Sequence, residues 1–425
     1  MKTKAVRLYG VNDLRLEEFE LPALREDEIL AKVISDSICM STHKAALQGA
    51  EHKRVPDNVA ENPVIVGHEF CGVIEKVGSK WADQYKEGER FIVQTNLNLE
   101  ENPLAAPGYS FPYIGGDATH IVIPNAVMEK NCLLPYAGDA FFYGSLSEPM
   151  SCIIGGFHAN YHTVRGKYEH SMGIVEGGNC AILAGAGPMG LGAIDYAVHG
   201  DRRPGLLVVT DIDDGRLKRA AGIYTPEDAA EHGVRLVYLN TNTSVHPENT
   251  NEAIRALAGG RGFDDVFVFA PVKPVVEQGD ALLGQDGCLN FFAGPTKTDF
   301  SAMFNFYNVH YASTHIVGTS GGNTEDMLEY VSLMNQGRLN PAAMITHVGG
   351  LNCVAESVVN LDKIPGGKKL AYTQIDMPLT AIDDMAELGE TDPLMASLAE
   401  IIEKNNGLWC AEAEKFLLEN AKPIR

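Results

Sequence analysis

Cys180-Ala181-Ile182-Leu183-Ala184-Gly185-Ala186-Gly187-Pro188-Met189-Gly190 decides the fold. An apolar run over Cys180–Ala184 leads into Gly-x-Gly-x-x-Gly, and a helical pattern follows over Pro188–His199. The first glycine permits a tight turn and the second lets backbone approach a pyrophosphate. The third allows close helix–strand packing, and the helix start supplies free amides at a positive dipole end. A ligand-free βαβ turn can carry the same glycines, so the context decides. Leu206–Thr210 is a second apolar run ending in Asp211, 21 residues beyond Gly190. About 20 is the interval expected for an acid that binds ribose hydroxyls. A carboxylate there repels a 2′-phosphate and favours NAD(H). Arg216 can meet a phosphate or stack on adenine, which keeps NADP(H) open. The expected dinucleotide contacts are Gly185, Gly187, Pro188, Met189, Gly190, Asp211 and Arg216.

Outward from this motif the rhythm continues through Val234–Asn240, Asp265–Phe269 and Cys288–Ala293. Buried runs separated by helical segments predict a doubly wound parallel sheet over 157–320. Residues 1–156 read differently, as short strands at Glu28–Ser35, Val64–Val77, Arg90–Thr95 and Thr119–Pro124, broken by Gly, Pro and Asn. That texture predicts an antiparallel, barrel-like domain. Residues 321–425 return to mixed texture, with helical periodicity at Asn323–Gln336, Asp392–Asn405 and Cys410–Ala421. The fold class is therefore α/β, and 425 residues at about 150 per domain agree with two or three domains.

A catalytic zinc needs about three N, S or O ligands and one open position. Cys39, His68 and Glu148 supply such a set from three separate segments marked by glycine or proline. Glu69, beside His68, either ligates transiently or holds the other ligands in place. Cys152 competes for the third position. Pro149 suits a helix first turn, which would leave Glu148 in the preceding loop and put Cys152 on the helix, so Glu148 is preferred. Ser41, two residues past Cys39, is the first candidate proton carrier, with His43 and Glu69 as further ones. The remaining cysteines read mainly as buried thiols, none in a Cys-x-x-Cys pair.

The chain has 34 Lys and Arg against 56 Asp and Glu, a net charge of −22. This acidic field argues against nucleic acid and anionic membrane as partners. No apolar run approaches the ~18 residues of a membrane span, and MKTKAVRLYG lacks the apolar core of a secretory signal, so a cytoplasmic location is expected. Within that field His43, Lys44, His52, Lys53 and Arg54 form a basic island beside a metal ligand. Lys44, Lys53 and Arg54 can clamp a substrate phosphate, or the island can be a solvated loop that offsets nearby acids.

The ordered set of Cys39, GHEFCGVIEKVG (67–78), Glu148, GAGPMG (185–190) and PGGKKLAY (365–372) resembles the zinc-containing medium-chain alcohol and polyol dehydrogenase family over residues 1 to about 375. The resemblance implies a GroES-like catalytic domain, 1–156 and 321–425, interrupted by a Rossmann domain at 157–320. The helical extension lies at the end of the second part. It also implies one catalytic zinc, NAD(H) or NADP(H) as cofactor, and a homo-oligomer of two or four subunits. Glu148 in place of a third cysteine looks like the sorbitol dehydrogenase branch. The stretch 37–72 is similar to the bacterial L-sorbose-1-phosphate reductase group, which implies a sugar phosphate or polyol as substrate.

Two departures stand out. The segment 94–116 contains no cysteine, so the family's four-cysteine structural zinc lobe is not expected. The family's Ser-Asp-x-His pattern becomes Ser41-Thr42-His43-Lys44, which displaces the relay histidine. Competing readings are a zinc-free reductase on the same fold, a dehydrogenase of unphosphorylated polyols, and a non-catalytic dinucleotide sensor.

Overall fold

The computed structural model describes every residue except 165 and 245, and only the backbone of 247. The chain forms two compact units. The first is Met1–Pro149, Asn323–Val331 and Ile345–Arg425; the second is Met150–Gly322 and Ser332–Met344. Ser332–Met344, which the texture reading put with the first domain, packs with the second instead. Arg338 donates to the His199 carbonyl and Asp195 accepts from the Asn340 amide, which ties this stretch to the end of helix Pro188–His199.

Among the described residues the second unit carries a six-stranded parallel sheet. Its order is Arg235–Asn240, Leu206–Asp211, Asn179–Leu183, Phe263–Val268, Leu283–Phe291 and His315–Val317. Strand order reverses at Asn179–Leu183, and the glycine turn leaves from the carboxyl end of that strand, where dinucleotides bind in such sheets. The three glycines are needed for different reasons. A Cβ on Gly190 would lie 2.0 Å from the Gly185 carbonyl, and one on Gly185 would lie 2.3 Å from Ile182 Cγ2. A Cβ on Gly187 would meet nothing within 4 Å, so packing does not demand that glycine and the space in front of it stays open. Pro188 then starts the helix with Gly187 as its cap.

The first unit is organised around strand Ile29–Ile38, whose residues from Val33 to Ile38 are all buried. It pairs antiparallel with Phe70–Val77 on one side and Lys368–Tyr372 on the other. Asp36 sits opposite Phe70, and Ile38 opposite Lys369. Cys39, the pair His68-Glu69 and Lys368 therefore arrive at one end of the sheet, although Glu69 and Lys368 are 299 residues apart in sequence.

Two expectations change here. Val64–Val77 is not one strand: Val64–Ile65 pairs with Lys2–Gly10, and Phe70–Val77 joins the larger sheet. Between them Gly67 has φ +89°, and a Cβ there would lie 2.7 Å from the Asp117 amide nitrogen, so the chain turns and presents His68 and Glu69. Glu148 does not precede a helix; it lies in the first turn of helix Ser147–Ala159. Pro149 is tolerated because first-turn amides have no partner within the helix.

The C-terminal helices Pro393–Lys404 and Ala411–Asn420 belong to the first unit. Fully buried Trp409 donates to the Tyr372 hydroxyl, which donates to Glu414. Glu414 also accepts the Phe141 and Phe142 amides at the start of helix Phe141–Ser145. Burial pushes the Glu414 carboxyl up to about 7 despite these donors. Between its ordinary value of 4.5 and about 7 the native state then binds the extra proton, so this group's contribution to stability falls as pH rises through that window. Relative to Glu414→Gln, the wild type is expected to lose on the order of 3 kcal/mol between pH 4.5 and 7. Urea unfolding of both proteins across that range measures the difference, and parallel curves would count against it.

Candidate metal and dinucleotide sites

Cys39, His68 and Glu69 each bring one ligand atom to within 4.8 Å of the others. Cys39 caps helix Met40–Gln48, and its Sγ accepts the Ser41 amide at 3.5 Å. Burial pushes its thiol up to about 12, with the Glu69 charge adding to the effect and Lys368 opposing it. A cation at this point is what would make the thiolate the stable form. His68 is fixed through both ring nitrogens: Thr42 Oγ1 lies 3.1 Å from Nδ1 and Tyr109 Oη 3.2 Å from Nε2. Burial pulls the imidazole down to about 3, so it is neutral near pH 7, the state a ligand requires. The position after Ser41, Asp in the family pattern, thus holds a hydroxyl that orients the histidine without adding charge.

Lys368 Nζ lies 2.6 Å from both oxygens of Glu69, and both side chains are buried. Burial is the largest influence on the Glu69 carboxyl and would raise it; the Lys368 ammonium, with His68 and hydrogen bonding added, holds the group below its ordinary value. Glu69 is therefore both an ion-pair partner of Lys368 and a member of the tight group with Cys39 and His68. Behind it Asp36 Oδ1 accepts the Glu69 amide at 3.2 Å. Lys368→Ala would strand a buried carboxylate and is expected to destabilise the first unit by about 3–5 kcal/mol. Lys368→Met with Glu69→Gln should recover most of that in urea denaturation; no recovery would show that the pair is not the cause.

Glu148 is buried but lies outside the tight group. Its charge nevertheless acts on Cys39, Tyr109 and Lys368, so its carboxylate lies in their neighbourhood. A thiol, a neutral imidazole and a carboxylate are donor types that suit zinc. Cys152 lies on helix Ser147–Ala159, half-buried, and is not in the group either.

The structure divides the basic island. His43 Nδ1 is 2.7 Å from the Val358 carbonyl and its Nε2 is 4.0 Å from Asp362, so it serves packing between helices and is not brought to the cluster. Burial, with Arg54, Lys53 and Lys44 nearby, pulls His52 down to about 4, so it is neutral as well. Lys44, Lys53 and Arg54 remain as cations. Burial lowers Lys44, and the charge of Cys39 acts on it in the opposite direction, which puts it near that ligand. Lys53 is exposed. Arg54 lies 5.2 Å over the Tyr109 ring, donates to Asn96 Oδ1 at 3.1 Å, and keeps a buried Nε with no hydrogen-bond partner among the described residues. Tyr109, not anticipated from the sequence, thus links the island to His68.

In the second unit Asp211 is buried and accepts three amides, those of Ala186, Ile212 and Asp213. It holds the glycine turn closed, a role the spacing argument did not include. Arg216 is exposed next to Asp213, the cap of helix Asp214–Ile223.

Comparison with known proteins agrees with the fold and shows the family. Residues 25–133 match the alcohol dehydrogenase GroES-like domain, and residues 188–336 match zinc-binding dehydrogenases. An uncharacterized Escherichia coli protein, YggP, is 54% identical over 98% of this chain and 97% of its own. Mannitol-1-phosphate 5-dehydrogenase of Aliivibrio fischeri is 52% identical over 98% of each chain. L-sorbose 1-phosphate reductase of Klebsiella pneumoniae is 50% identical over 99% of this chain and 98% of its own. Among solved structures, an alcohol dehydrogenase from Thermotoga maritima superposes with TM-score 0.69 at 20% identity, covering 88% of this chain and all of its own, which shows the shared fold. No helix among the described residues is long and apolar enough to cross a membrane.

Proposed function

Because the chain belongs to the zinc-binding, medium-chain, NAD(P)-dependent dehydrogenase family, we propose that it moves hydride reversibly between NAD(P)(H) and the secondary alcohol or ketone carbon of a sugar phosphate. The specific reaction we favour is reduction of L-sorbose 1-phosphate to D-glucitol 6-phosphate. Oxidation of mannitol 1-phosphate is the second reading, because a relative named for that substrate is equally similar. The observation that carries the phosphate requirement is Arg54, half-buried beside Tyr109 with an unpartnered Nε.

In this reading Cys39, His68 and Glu148 would hold a zinc ion, which would supply a Lewis acid for the reacting oxygen. Thr42 and Tyr109 set the His68 ring, and the Glu69–Lys368 pair holds the loop that carries it. Ser41 Oγ moves the substrate hydroxyl proton. Arg54, Lys53 and Lys44 take the phosphate. The Gly185–Gly190 turn, Pro188, Met189, Asp211 and Arg216 bind the dinucleotide, which supplies or accepts the hydride. The acidic exterior slows an approaching anion, so a local cationic entrance restores encounter.

A spectrophotometric screen of NADH and NADPH against paired free and phosphorylated ketoses tests this reading. Turnover of L-sorbose 1-phosphate well above L-sorbose is expected. Equal rates on the free sugar would favour a plain polyol dehydrogenase, and binding of NADH without turnover would favour a sensor.

A further inference from the structure

The second unit holds another cluster of ligating side chains, well separated in sequence from Cys39, His68 and Glu148. Ligand atoms of His199, Asp228 and His232 lie within 4.8 Å of one another. His199 is the last residue of helix Pro188–His199. Asp228 lies in helix Pro226–Glu231 and His232 caps its C-terminal end, four residues on, so the two project from the same face. The His199 and His232 rings are 4.7 Å apart and nearly perpendicular, and His199 Nε2 is 3.4 Å from Asp228 Oδ2.

The other side of His199 is built as the support of a metal ligand. Its Nδ1 lies 2.7 Å from Asp195 Oδ1, and Asp195 is itself almost wholly buried and held by the Asn340 amide at 2.8 Å. A carboxylate on one ring nitrogen fixes the tautomer and aims the other nitrogen outward, the arrangement common behind metal-bound histidines. The surroundings also suit a cation. The C-terminal end of helix Pro188–His199 is the negative end of its dipole, and the Asp195, Asp201 and Asp228 carboxylates are close by. Arg203 and Arg338 are the neighbouring cations, and their guanidinium groups are spent on the His232, His199 and Gly200 carbonyls and on Asp201.

We infer that His199, Asp228 and His232 form a second binding site for a first-row divalent cation, with zinc the best match to two imidazoles and one carboxylate. Two nitrogen donors exclude calcium and magnesium as preferred ions. Asp228 is half-exposed, so water completes the coordination. The site differs in residues and position from the cysteine lobe absent from 94–116. It clips the far end of the helix that opens at the dinucleotide turn to helix Pro226–Glu231, so its role is to stiffen the second unit.

The test is zinc titration of the full chain by calorimetry, with metal content measured after gel filtration. To separate this site from the Cys39 cluster, Cys39→Ala serves as background. Cys39→Ala should still bind one zinc with micromolar or tighter affinity, and Cys39→Ala combined with His232→Ala should lose it at least about a hundredfold. Asp228→Asn, which keeps shape, should weaken it as well. Zinc should raise the melting temperature of Cys39→Ala but not that of the double variant. Equal stoichiometry and affinity in Cys39→Ala and the double variant would overturn the assignment, as would binding at millimolar concentration only.

Discussion

Cys39→Ala should lower kcat/KM at least about a thousandfold while NADH affinity stays within about twofold. The loss follows from the geometry around Cys39. Its sulfur and the neutral His68 ring belong to one tight group of ligand atoms, and the proposed zinc set loses a donor it needs when the sulfur is removed. A thousandfold corresponds to about 4 kcal/mol of transition-state stabilisation, within what a Lewis acid at a developing alkoxide supplies. Dinucleotide affinity is spared because Gly185–Gly190 and Asp211 lie on a different unit from Cys39. Fluorescence titration with NADH beside steady-state kinetics reads both quantities. Near-normal turnover of the alanine variant would remove the zinc mechanism and revive the zinc-free reductase.

Lys53→Ala combined with Arg54→Ala should raise KM for the phosphorylated ketose by about a hundredfold or more and change that for the free ketose by no more than about threefold. Each charge-assisted hydrogen bond contributes roughly 1.5–3 kcal/mol, and two of them set that scale. Arg54 should contribute more than Lys53, because its guanidinium lies over Tyr109, whose hydroxyl meets His68. Lys53 is exposed and its interaction is screened by salt, so its share should shrink as ionic strength rises. Arg54→Lys should recover only part of the loss, since a point charge cannot reproduce the forked donor. Parallel increases for both sugars would point to a disturbed loop and count against a phosphate clamp.

What was legible in the sequence follows the range of the interaction. The dinucleotide turn is local: strand, glycines, helix and acid lie within about thirty residues, and helix Pro188–His199 and strand Leu206–Asp211 have the bounds their periodicity predicts. Cys39, His68 and Glu148 were legible as residue types with zinc chemistry. Lys368 was not, because its meaning comes from Glu69, 299 residues away, through pairing of Lys368–Tyr372 with Ile29–Ile38. A doubled lysine, Lys368-Lys369, reads as surface in a linear sequence, yet both residues are buried. His43 falls within the basic island in the linear sequence because sequence proximity ignores helix phase. On helix Met40–Gln48 the buried face is Thr42, His43, Ala45 and Ala46, which turns His43 away and sends Thr42 to His68. The C-terminal helices showed periodicity but no purpose until Trp409 and Glu414 were seen to lock onto Tyr372 and the start of helix Phe141–Ser145.

Reduction of a phosphorylated ketose, with zinc held by Cys39, His68 and Glu148, is the chemistry proposed for this chain. Its most direct test is to strip the wild-type enzyme with a chelator, restore zinc in measured equivalents, and follow NAD(P)H oxidation with L-sorbose 1-phosphate and L-sorbose side by side. Activity should vanish on stripping, return in proportion to zinc, and strongly prefer the phosphate. Full turnover in zinc-depleted protein, or equal rates on the two sugars, would contradict it.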